Sequence, residues 1–88
     1  MARDYSIADN ILAFCALRGI NQRELARAIG LPEATVSRWC TGVVVHPRHG
    51  LLARLCDVYG ITYEHLTSPD QGFAYALELV REAQAERR

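Results

Sequence analysis

The side chains of this 88-residue chain best suited to metal or nucleophilic chemistry fall close together: Cys40, His46 and His49. A thiolate and two imidazoles are zinc ligands by type, but no fourth ligand accompanies them and their spacing matches no known site. They read more simply as one apolar thiol and two histidines that are solvated or face phosphate. A Cys40/His46 nucleophile pair fails too, because the sequence places no orienting acid or oxyanion donor beside it. No working pair of carboxylates, activated nucleophile or phosphate-binding loop is present, so an enzyme is the least expected class and no cofactor or metal is implied. The three cysteines, Cys15, Cys40 and Cys56, form an odd set without a Cys-x-x-Cys spacing, and are expected to be reduced and mostly buried.

Charge points to a different chemistry. Ten basic residues, all arginine, balance ten acidic ones, yet their distribution is uneven. From residue 18 to 54 six arginines face only Glu24 and Glu33, and the segments on either side are net negative. Positive charge gathered in mid-chain is the footprint of contact with a polyanion even where the sum vanishes. No apolar run approaches the roughly 18 residues of a membrane span and no secretory leader is visible, so a soluble, cytoplasmic protein is expected. The length suits one compact domain without a separate sensing or catalytic domain.

The elements that must position these residues read as helices. Ser6 and Asp9 form a capping box, and Ile7, Ile11, Phe14 and Cys15 share a face until Gly19, giving a helix from about Ile7 to Arg18. Asn21 caps a second helix with Glu24 at the reciprocal position and Leu25, Ala26 and Ile29 as its stripe, ending at Gly30. Leu31 and Pro32 reopen the chain, and Val36, Trp39 and Cys40 form the third apolar face before Gly42. Val43 to Gly50 reads as a loop holding Pro47. Leu51, Leu52, Leu55, Val58 and Tyr59 then make a fourth helix closed by Gly60, and Thr62 to Leu66 a short fifth. Ser68, Pro69 and Gln71 predict a capping box opening a sixth helix, with Phe73, Leu77 and Val80 on one face and Tyr75 and Leu79 on another. The run Val43 to Val45 is too short and too closely bounded to compete as a strand. The expected fold is all-α: five helices over residues 1–68 and an additional C-terminal helix in 69–88. Leu12, Leu25, Ala26, Ile29, Val36, Trp39, Leu52, Leu55, Val58, Ile61 and Leu66 are expected in one core.

Two short helices joined by a glycine turn, the second exposing small and polar residues, are the parts of a helix-turn-helix. The first crosses the nucleic-acid backbone and the second enters the major groove, which is wide enough for one helix. Ala26 lets the pair cross closely, Gly30 supplies the turn and Val36 anchors the second helix. On Asn21 to Gly30, Leu31 to Trp39, Gly42, Pro47 and Leu55 to Ile61, the sequence resembles the lambda-repressor-like family of Cro-type or XRE-type regulators. The resemblance spans about Ile11 to Leu66 and leaves the sixth helix outside.

The resemblance implies that Gln22 contacts or buttresses a phosphate and that Glu33, Ala34 and Arg38 read bases, with Thr35 and Ser37 near the DNA backbone. The chemistry agrees: Arg38 can pair bidentately with guanine, Glu33 can accept from cytosine, and Ala34 can touch a thymine methyl. Two alternatives stay open. Glu33 can simply favour the positive end of its helix, and Arg38 can pair with Glu33 or with solvent; Arg27 and Arg54 read as solvated. Val43, Val44 and Val45 stand where relatives often carry a phosphate-binding cation, so backbone contact falls to Arg23, His46, Arg48 and the amide of Gln22. Cys15 and Cys40 occupy the places of an arginine–glutamate pair in the family, so the two thiols are expected side by side.

The function implied is a sequence-specific DNA-binding transcriptional regulator, a phage or bacterial Cro-like repressor on a two-fold operator of double-stranded DNA. It would bind as a homodimer, with Phe73, Tyr75, Leu77, Leu79 and Val80 of the sixth helix at the interface. Two other readings share the fold: an antitoxin whose sixth helix holds a toxin, and a protein-interaction module that has lost DNA binding.

Overall fold

The structure, a computed structural model, describes residues 5–44 and 46–86. Among these residues it is all-helical: α1 (Ile7–Arg18), α2 (Gln22–Ile29), α3 (Glu33–Cys40), α4 (His49–Tyr59), α5 (Tyr63–Thr67) and α6 (Phe73–Glu86). Local chemistry sets the early boundaries. Ser6 accepts from the Asp9 amide while Asp9 accepts from the Ser6 amide, and Asn21 and Glu24 repeat the arrangement at α2. Gly30 stops α2 in the left-handed region, at φ 71°. Its amide donates to Arg27 and the next amide, from Leu31, donates to Ala26 at 3.0 Å, the double bond of a Schellman cap. Leu31 then turns back onto the core. Gly19 with Ile20 ends α1 by the same pair of bonds.

One core fills the space between the helices: Ile11, Phe14, Cys15, Leu25, Ala26, Ile29, Val36, Trp39, Cys40, Leu52, Leu55 and Leu66. Ile61 packs against its edge. Two residues expected there are not: Leu12 is 42% exposed and Val58 48% exposed. Each lies one helical step beyond the buried arc, Leu12 next to Ile11 and Val58 beside the half-buried Tyr59, whose ring meets Phe14 edge-on. Helix α4 begins at His49, two residues earlier than its first leucine, because Arg48 is already extended, at ψ 136°, and serves as its N-cap.

The start of α6 also departs from expectation. Ser68 does accept from the Gln71 amide, at 3.0 Å, but this closes a turn, and the helix proper begins at Phe73. The cap of α6 comes from elsewhere in the chain. Asn10, fully buried in α1, accepts from the Ala74 amide at 2.9 Å, while its side-chain amide donates to the carbonyls of Leu66 and Ser68. Gly72 makes room for it, since a Cβ there would sit 2.5 Å from the Asn10 oxygen and 2.7 Å from the His65 carbonyl. Helix α6 thus packs along α1, with Phe73 against Phe14, ring centroids 5.0 Å apart.

Candidate DNA-contacting surface

The recognition pair is built from the inside outward. Val36 is fully buried, and Trp39 and Cys40 nearly so, which fixes one side of α3 against the core and leaves the other to water. Glu33, Ala34 and Arg38 are exposed on that outer side, and Thr35 and Ser37 are half-buried at its margins. Spacing by three, four and seven residues from Ala34 adds Thr41, exposed and C-terminal to the helix, whose hydroxyl donates to the Ser37 carbonyl at 3.0 Å. Thr41 is not among the contact residues that the sequence suggests, although its i, i+7 relation to Ala34 is a sequence signal for it.

The two open alternatives are narrowed by one ion pair. Glu33 meets Arg23 of α2, Nε to Oε2 3.5 Å, across the turn. Arg38 therefore does not have Glu33 as its partner, and has no ion-pair partner among the described residues. The pair also brings the start of α2, with the half-buried Gln22 and exposed Arg23, beside the start of α3. Arg54 is exposed, as expected, and also donates from Nη1 to the Ile29 carbonyl at 3.4 Å, a cation at the C-terminal end of α2. Arg27 is exposed, as expected.

Beyond α3 the chain turns sharply. Gly42 takes φ 78°, and the Val44 amide donates to the Arg38 carbonyl at 3.2 Å. Val44 folds inward while Val43 stands 73% exposed; Val45 lies outside the described residues. His46 and Arg48 are exposed on the segment leading into α4. His49 lies against the Tyr63 ring, centroids 4.7 Å apart, and the described residues hold no group of three or more His, Cys, Asp or Glu able to bind a metal.

Beneath α3, Cys15 and Cys40 are both free and buried. Burial pushes the Cys15 thiol up to about 11, with the neighbouring Cys40 charge adding to the rise; burial raises Cys40 as well. Both belong to the core where α1 packs against α3. Both are neutral, poorly nucleophilic thiols near pH 7.

The apolar residues of α6 divide. Phe73 is drawn into the chain's own core and Leu77 is half-buried toward α1, so of the expected interface these two are largely committed within the chain. Tyr75, Leu79 and Val80 remain exposed, on a side of α6 turned away from the α1 groove.

The Cro/C1-type HTH DNA-binding domain family matches residues 10–70. The chain belongs to that family: the match covers all of α2 to α5 and most of α1, and α6 is an addition to it. No curated protein and no solved structure matches it significantly. No helix among the described residues is long and apolar enough to cross a membrane.

Proposed function

We propose that this chain is a sequence-specific transcriptional regulator, a Cro-like repressor of a bacterium or phage acting in the bacterial cytoplasm on a two-fold operator. The observation that carries the reading is the outer side of α3: Ala34 and Arg38 exposed on a helix whose inner side is locked by Val36 and Trp39, with Thr41 exposed just past its C-terminal end. Arg38, without an ion-pair partner among the described residues, is the guanine reader. Ala34 offers a thymine-methyl contact, and Glu33, held by Arg23, either accepts from cytosine or relays that arginine to a phosphate. Gln22, Arg23, Thr35, Ser37, His46 and Arg48 supply backbone contact. A homodimer through Tyr75, Leu79 and Val80 would present two recognition helices to one side of the duplex, about 34 Å apart.

Selection of bound sequences from random DNA tests this reading. Two-fold symmetric sites with half-site centres one helical turn apart are expected. Absence of any shifted DNA at low salt would replace it with an interaction module of the same fold. An antitoxin is the second reading, favoured by the same exposed side of α6; its mark is a monomer in isolation encoded next to a toxin gene.

A further inference from the structure

Helix α6 is held by a polar clasp rather than by apolar packing alone. Asn10 uses its side-chain amide on the carbonyls of Leu66 and Ser68, at and just past the end of α5, and its oxygen on the Ala74 amide in the first turn of α6. Those bonds are the ones a helix end otherwise leaves open, and in a dry site they are directional and costly to lose. Gly72 is pressed against the same group and admits no side chain. Tyr5 adds a second tie, its amide donating to Pro69 at 2.9 Å and its hydroxyl to Glu78. Helix α1 also packs against α3. A single helix, α1, therefore links α6 to the recognition helix.

We infer that Asn10, seated against Gly72, is the positioning residue that fixes the direction of α6 relative to α3 and so sets the operator spacing the dimer accepts. The inference rests on the homodimer reading above. Without the clasp, the turn at 68–72 can swing while Phe73 keeps α6 attached, so a dimer of loosened geometry would still form and still read each half-site.

The test uses the full chain and its Asn10→Ala variant on operators whose two half-sites are moved apart base pair by base pair. Gly72→Ala, which crowds the clasp from the opposite side, serves if Asn10→Ala does not fold. Sedimentation reports the dimer, and binding to a single half-site reports an intact recognition helix. The wild-type dimer is expected to lose about a hundredfold in affinity when the spacing shifts by half a helical turn, and the variant less than about tenfold, because only a rigid pair forbids the misaligned second contact. A folded, dimeric variant with the wild-type spacing profile overturns the inference alone, as does a wild-type dimer that tolerates every spacing. A monomeric wild type overturns the homodimer reading and this inference with it.

Discussion

The helix pair α2–α3 and the attachment of α6 to α1 solve the same problem, holding one helix against another, by opposite means. In the pair, apolar residues at helical spacing form the contact: Leu25, Ala26 and Ile29 meet Val36 and Trp39, and all are nearly inaccessible. No residue of α6 is buried to that degree, Ala74 coming nearest, and the joint is organised by Asn10 and Gly72. An apolar contact is tolerant of small shifts, whereas a hydrogen-bonded one fixes direction. The DNA-reading pair thus draws stability from its core, and α6 draws orientation from its clasp.

The largest effect that would break this contrast lies in the core. Val36→Ala or Leu55→Ala is expected to lower unfolding free energy by about 2–4 kcal/mol through lost burial and the cavity left behind. Chemical denaturation measures it, and a loss well under about 1 kcal/mol would remove these side chains from the supporting core. Next in size is Arg38→Ala, expected to weaken the preferred operator by about 1–3 kcal/mol and to relax preference at one base position without altering stability. Uniform loss over all sequences would make Arg38 a backbone contact instead.

A smaller effect is expected with alkali. Because Cys15 and Cys40 hold their protons more tightly folded than unfolded, their contribution is complete below pH 9.0, the ordinary thiol value, and declines above it, for Cys15 as pH rises toward about 11. Denaturation midpoints followed from pH 7 to 11 should fall across that window, and Cys15→Ala should flatten the fall. The smallest belongs to the exposed Arg23–Glu33 pair, where Glu33→Gln should change stability by less than about 1 kcal/mol. Its effect on DNA is sharper: a shift of preference from cytosine toward adenine marks a base contact, and a general gain in affinity marks relief of repulsion with phosphate.

The same contrast explains what was legible in the sequence. Helix existence, both early capping boxes, the glycine stops and the core positions of α2 and α3 follow from periods and caps that depend on near neighbours in the chain. Leu12 and Val58 were misplaced because an apolar residue at the margin of an arc has the type of a core residue without the position. Asn10 was invisible, its partners being 56 to 64 residues away; an asparagine within a helix carries no mark that it caps another. The bond from the exposed Arg54 to the Ile29 carbonyl, 25 residues away, is hidden for the same reason. For the candidate surface, residue types suggest the contact residues, but only the fold pairs Glu33 with Arg23 and leaves Arg38 without an ion-pair partner among the described residues.

The clasp also determines how the molecule would bear mechanical load. Asn10 and Asp70 bound the family match, and the Asn10 side chain bonds the backbone at Ser68, so the module's entrance and exit meet at one point. Tension applied between Tyr5 and the end of α6 would run through Tyr5, Pro69, Glu78 and Asn10 along the α1–α6 seam. Helices α2 and α3 lie off that line. Under a pull on its ends the protein should peel α6 away first, while the reading head, out of the path of force, stays folded.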